Sequence, residues 1–156
     1  MAYPDLKNVL PVLEKVVSDC GVSLWGVEWT TEAGRVILRV YVERDEGVDL
    51  GILTEVTRKV NLQLDEADPV PGAYTLEVSS PGLERRLFTL EQCARYVGSP
   101  VKVKCRPDAP LARKRHQGRL SAVDGDVLVL EGGPRGEAGP VRLPFTQVAT
   151  AHLVYE

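Results

Sequence analysis

The sequence predicts an α+β protein of two modules: an N-terminal αββαβ domain of two layers over residues 1–88, then a short helix and a small five-stranded all-β barrel over residues 89–156. Three observations predict it. Apolar residues with helical spacing near the N-terminus give way to period-two alternation, and helical spacing returns before one further strand. Beyond residue 100 only short extended runs remain, separated by Gly, Pro and Asp turns. The charge divides as well, with nine Lys/Arg against fifteen Asp/Glu up to residue 88 and ten against seven after it. An acidic module followed by a basic one is the pattern expected if the second faces a polyanion.

Leu6, Val9, Leu10, Leu13, Val16, Val17 and Cys20 recur every three or four residues, which lines one side of a helix that Gly21 stops. Pro11 lacks a backbone donor, so it kinks this helix or begins its regular part. Val22 to Trp29 and Arg35 to Arg44 are extended runs around the turn TTEAG. In the second, Val36, Leu38, Val40 and Val42 alternate with Ile37, Arg39, Tyr41 and Glu43, a hairpin with one buried face. Asp49 can cap a second helix carrying Leu53, Val56, Val60 and Leu64, which ends before the loop DEADPVPG. A third strand places Tyr74, Leu76 and Val78 on one face.

This strand stops at Ser79-Ser80-Pro81-Gly82, which reads in two ways. Pro then Gly suits the centre of a type II turn, with glycine at the positive φ. Alternatively, Ser80 caps a short helix with Pro81 as its first residue, presenting hydroxyls and backbone donors. Farther on, Thr89 and Gln92 have capping-box spacing for a short helix closed by Gly98 and Pro100. Val101–Cys105, Gln117–Val123, Val127–Glu131, Val141–Phe145 and Val148–Val154 are the five short strands, and closing them into a barrel would leave no long edge exposed.

The residue inventory excludes several chemistries. No apolar run approaches the roughly 18 residues of a membrane span, and the N-terminus MAYPDLKNVLP carries an acid where a signal peptide is basic, so a cytoplasmic protein is expected. Cys20, Cys93 and Cys105 form no CxxC pair and have only His116 and His152 as imidazole company, so neither a disulfide framework nor a metal site is expected. No phosphate-gripping GxxxxGK[ST] occurs, no GxGxxG follows a strand, and no cofactor is expected. A hydrolase acting through Ser79 or Ser80 would need a base within reach and lacks the GxSxG elbow.

Binding chemistry is better represented. Arg85 and Arg86 follow the SSPG turn, and guanidinium groups pair with phosphates or stack on bases. Arg113, Lys114, Arg115 and His116 form a cluster accompanied by Lys102, Lys104, Arg106 and Arg119, a set suited to a phosphate backbone. Phe145 and Tyr155 are the aromatic residues there, too few for sequence-specific single-strand readout. The αββαβ order is similar to that of KH-type RNA modules, whose GXXG loop clamps nucleotides. Here that spelling, Gly133-Pro134-Arg135-Gly136, falls in the barrel instead of between helices.

The string YTLEVSSPGLERRL resembles the signature of the ribosome maturation factor RimP family, a strand ending in LEVSSPGL and followed by an acid, an arginine and a leucine. GVSLWGVEW, RVYVER, LDEADPV and PFTQVATAHLV follow the family in the same order along nearly the whole chain. The family pattern has aspartate and proline around the arginine where this chain has Glu84 and Arg86, which keeps the acid and adds a cation. The resemblance implies an α/β N-terminal domain and a C-terminal barrel similar to Sm and SH3 folds. It implies a non-enzymatic factor that binds the immature small ribosomal subunit and assists its assembly; a monomer is expected. On this reading Ser79, Ser80, Pro81, Gly82, Leu83, Arg85 and Arg86 meet a basic ribosomal protein. Lys102, Lys104, Arg106, Arg113, Lys114, Arg115 and Arg119 meet ribosomal RNA. The alternative is a general RNA-binding adaptor that works away from the ribosome.

Overall fold

A computed structural model describes residues 5–67, 70, 72–82, 84–111, 113–132 and 140–154. The chain divides into two compact units, Met1–Pro81 and Gly82–Glu156. This division falls a few residues ahead of position 88, because the segment after the SSPG turn is hydrogen-bonded within the second unit, as described below.

In the first unit a 3-10 turn at Leu6–Asn8 leads into α1 (Leu10–Asp19). Pro11 sits in the first turn of α1, where a missing N–H interrupts no helical hydrogen bond, so the proline begins the regular helix instead of kinking it. Gly21, at φ 78°, ends it. Strands β1 (Ser23–Glu32) and β2 (Arg35–Glu43) form an antiparallel hairpin. Strand β1 runs three residues beyond the expected Trp29. Ala33 and Gly34 both adopt positive φ, 51° and 76°, which suffices to reverse the chain and lets Thr30–Glu32 pair with Arg35–Ile37.

Helix α2 (Leu50–Ala67) is capped as expected, the Asp49 carboxylate accepting from the Ile52 N–H at 2.8 Å. Its crossover returns the chain so that β3 (Thr75–Ser79) lies parallel to β2, with Val78 beside Val40. The sheet order is β1-β2-β3. Leu13, Val16 and Val17 of α1 and Val56, Val60 and Leu64 of α2 pack with Val27, Leu38, Val40 and Val42 of the sheet in one buried core. Each such side chain contributes about 1.5–3 kcal/mol of hydrophobic transfer.

In the second unit Thr89 caps the start of α3 (Leu90–Arg95) as expected, while the Gln92 side chain closes onto Phe88, one residue ahead of the N-cap N–H that the expected capping box would use. The Thr89 hydroxyl accepts from the Gln92 N–H at 3.1 Å, and the Gln92 side chain accepts from the Phe88 N–H at 2.8 Å. Strands β4 (Pro100–Cys105), β5 (Arg115–Asp124), β6 (Val127–Glu131), β7 (Val141–Pro144) and β8 (Val148–Leu153) form one antiparallel sheet of order β7-β6-β5-β4-β8.

The closed barrel expected from the sequence is not found. Among the described residues β7 and β8 stand at opposite ends of the strand order and no ladder joins them. Strand β7 is four residues long and ends in Pro144, which has no N–H to offer, and a 3-10 turn at Phe145–Gln147 follows. The outer edge of β8 is covered in another way. Leu87 N–H donates to the Ala151 carbonyl at 2.7 Å, Leu153 N–H donates to the Arg85 carbonyl at 3.0 Å, and Arg86 bridges antiparallel to His152. A short flanking segment therefore blunts the edge that closure would have removed.

Candidate nucleic-acid interface

Strand β4 lies between β5 and β8, and its alternation sorts charge from core. Val101, Val103 and Cys105 are buried, while Lys102 and Lys104 are exposed. Register then decides what surrounds the two lysines. Lys102 lies opposite Gln117 on one side and His152 on the other, and Lys104 lies opposite Arg115 and Thr150. Two rows result, Gln117–Lys102–His152 and Arg115–Lys104–Thr150, with neighbouring strands about 4.8 Å apart. These six side chains and Val103 line a shallow groove of about 390 Å³. The carboxylate of Glu84 lies 3.6 Å from Lys102 Nζ, yet the Lys102 side chain remains 52% exposed and within reach of a ligand.

The other expected cations are divided between display and internal use. Arg106 directly follows β4 and Arg113 shortly precedes β5, so both stand exposed in the loop joining these strands, next to the Lys104–Arg115 row. Lys114 is half-buried and donates its ammonium to the Ala109 carbonyl, and Arg119 donates to the Gly98 carbonyl. Both therefore secure loops of their own unit. Burial raises the Cys105 thiol pKa, with the nearby Lys114 charge acting in the opposite direction.

In the signature, Gly82 takes φ 78°, the left-handed value that glycine accepts, and no helix starts among the described residues there, so the helix-cap reading of Ser80 is not borne out. The Ser79 hydroxyl donates to the Ser80 carbonyl at 3.0 Å. Leu83 and the Gly133–Gly136 stretch lie outside the described residues, as does Tyr155. The Arg85 guanidinium lies 5.9 Å from the centroid of the Tyr96 ring. That of Arg86 lies 4.6 Å over Phe88 and donates to the Ala149 carbonyl at 3.3 Å. Both arginines thus hold the second unit together, whatever else they touch.

The first unit concentrates acid on the sheet face opposite its helices. Arg39 donates to Glu77 at 2.9 and 3.2 Å and to Glu32 at 2.9 Å, and lies 4.0 Å from Glu28, which accepts from the Tyr41 hydroxyl at 2.7 Å. Three carboxylates share one guanidinium. The Arg39 pKa is raised, first by its bond to Glu32 and then by that to Glu77, and the Tyr41 pKa is pushed up to about 12 by burial and then by its bond to Glu28. Among the described residues no group of three or more His, Cys, Asp or Glu is placed to hold a metal, and no helix is long and apolar enough to cross a membrane.

Gln117 and Thr150 were not singled out in the sequence, and His152 was weighed only as a metal ligand. Their only signal would have been the register of β5 and β8 against β4, which side-chain alternation within one strand does not carry. With this geometry in place, comparison with known families is informative: residues 12–84 match the family model of the RimP N-terminal domain.

Proposed function

Because the chain belongs, through residues 12–84, to the ribosome maturation factor RimP family, we propose that it is a non-enzymatic factor that binds the immature small ribosomal subunit and assists its assembly. The family match is the observation that carries this reading. It acts in the cytoplasm as a monomer, without a cofactor. The acidic unit and the segment Ser79, Ser80, Pro81 and Gly82, with Leu83, Arg85 and Arg86 beyond it, meet a basic ribosomal protein. The carboxylates around Arg39 support this assignment, since an acidic face repels RNA and attracts lysine-rich protein.

The second unit meets ribosomal RNA. Lys102, Lys104 and Arg115 lead, Arg106 and Arg113 flank them, and Lys114 and Arg119 act by fixing the loops. The two-layer αββαβ unit fits a KH-like module. The order β8-β4-β5-β6-β7, with a 3-10 turn ahead of its last strand, supports reading the second unit as an open relative of Sm- and SH3-like barrels. In this division of labour the working parts are residues 1–88 and 89–156, joined through SSPGLERR.

Sedimentation of a cell lysate through a gradient that resolves free small subunits, large subunits and joined ribosomes, at low and moderate salt, tests the function. Co-migration with free small subunits alone is expected. Migration at the top under both salts, or equal affinity for bulk RNA, would replace the assembly role with that of a general RNA adaptor.

A further inference from the structure

The groove across β4, β5 and β8 has a shape and a set of groups that specify what kind of RNA it takes. Lys102 and Lys104 project from the same face of one strand, about 7 Å apart, and Arg115 stands about 5 Å to the side of Lys104. This spacing suits neighbouring phosphates along one backbone, with a third charge beside them. The two ladders fix the backbone positions from which these side chains project. At the ends of the rows Gln117 and Thr150 supply neutral groups that both donate and accept.

An unpaired strand is held by successive rings on which its bases stack, besides cations for its phosphates. Lys102, Val103, Lys104, Arg115, Gln117, Thr150 and His152 line this groove, and His152 is the single ring among them. A duplex asks for something else. Its bases are stacked already, its phosphates are held at fixed spacing, and its wide, shallow minor groove displays 2′-hydroxyls that neutral donors and acceptors recognise.

We propose that the β4–β5–β8 groove binds the backbone of double-helical RNA, with Lys102, Lys104 and Arg115 on phosphates and Gln117 and Thr150 on 2′-hydroxyls, without reading base sequence. This rests on the reading of the second unit as the RNA-binding one and adds the class of RNA. His152 lies between Lys102 and the edge residue Arg86 in the same row, so it completes the wall of the groove on that side.

The test is fluorescence anisotropy of the full chain with a labelled 16-base-pair RNA duplex of mixed sequence, with either of its single strands, and with a DNA duplex of the same sequence, each from 50 to 200 mM salt. The expected result is tighter binding to the RNA duplex than to the others, by about fivefold or more. The triple variant Lys102→Gln, Lys104→Gln, Arg115→Gln is expected to abolish that preference and to flatten the dependence of log K on log salt by about 0.7–0.9 for each phosphate no longer neutralised. A double variant outside the groove, Arg95→Gln with Arg142→Gln, removes two positive charges elsewhere in the unit and should leave the preference intact. Lys104→Glu, confirmed as folded by circular dichroism, gives a second route if the triple variant unfolds. Equal or tighter binding of the single strands overturns the duplex assignment while leaving RNA binding in place. A DNA duplex bound as well as RNA removes the 2′-hydroxyl contacts. An unchanged salt slope in the triple variant removes the site, and failure of the wild type to bind any RNA overturns the underlying reading as well.

Discussion

Gly118 is the position at which the smallest change should do most to the basic groove. It lies buried in β5 opposite Val101 and between Gln117 and Arg119. A Cβ added there would stand 2.8 Å from the Glu131 carbonyl oxygen and 3.4 Å from its carbon, nearer to that oxygen than ordinary van der Waals contact by roughly half an ångström. The obstacle is backbone, at the end of β6 where Glu131 pairs with Arg119, so it has no rotamer by which to move away. Overpacking of this kind costs about 1–3 kcal/mol. Alanine also stiffens the unfolded chain, which returns about 0.4–1 kcal/mol, so Gly118→Ala should destabilise the second unit by about 1–2 kcal/mol net. For a unit of this size each kcal/mol lowers Tm by about 4–8 °C. Hydrogen exchange of the β5 and β6 amides is the direct assay, because the loss should be concentrated there. If strand β5 shifts to relieve the overlap, Gln117 and Arg115 move relative to Lys102 and Lys104, and duplex affinity should fall with stability. Exchange and melting within about 0.5 kcal/mol of the wild type, the range of an ordinary surface substitution, would show that the β5–β6 contact yields freely, and the reasoning would fail.

Gly51→Ala should have the opposite sign. Its added Cβ would meet only the Asp49 carboxylate oxygen, at an ordinary 3.4 Å, and helix α2 would gain about 0.4–1 kcal/mol, read as a higher denaturation midpoint with unchanged slope. The buried thiols set a pH dependence. Burial pushes the Cys93 pKa up to about 11 and raises that of Cys105 as well, so in alkaline solution the unfolded chain releases these protons first. Stability should therefore fall as pH rises from the unfolded thiol value, about 8.5, through about 11, by at most about 1.4 kcal/mol per pH unit for each thiol. Denaturation curves between pH 7.5 and 10.5 measure the fall. In the native protein at pH 8 the half-exposed Cys20 should react with a thiol reagent well before Cys93 and Cys105, and equal rates for all three would refute the burial argument.

What the sequence disclosed and what it withheld divide along a physical line. The Asp49 cap, the Thr89 cap and the stop at Gly21 depend on residues a few positions apart, and all three were legible. The buried run Leu38, Val40, Val42 was legible for the same reason, although Ile37 on the other side of β2 is fully buried too, which alternation did not foretell. Barrel closure was misjudged because it depends on how two strands far apart in the chain end. Pro144 and the turn after it stop β7, and the edge of β8 is taken by residues 85–87. In the candidate site Lys102, Lys104 and Arg115 could be picked out as cations, but nothing local separated them from Lys114 and Arg119, whose charges are directed at carbonyls of their own unit. Display against internal use is a tertiary distinction.

The arginine that replaces a proline of the family pattern shows how an edge tolerates such a change. Arg86 faces His152 in a bridge whose two ladder bonds are made by its neighbours, from Leu87 N–H to Ala151 and from Leu153 N–H to the Arg85 carbonyl. In antiparallel pairing that arrangement asks nothing of the N–H of the central residue. A proline, which has none, therefore fits the same place, and its fixed φ would help hold the segment extended. Arginine gives up that stiffness and holds the segment by its side chain, over Phe88 and onto the Ala149 carbonyl. The backbone path along β8 is thus open to either residue. What the exchange adds is a guanidinium at the end of the row that runs through His152 and Lys102 to Gln117, turned, like those of Lys114 and Arg119, to a carbonyl of its own unit.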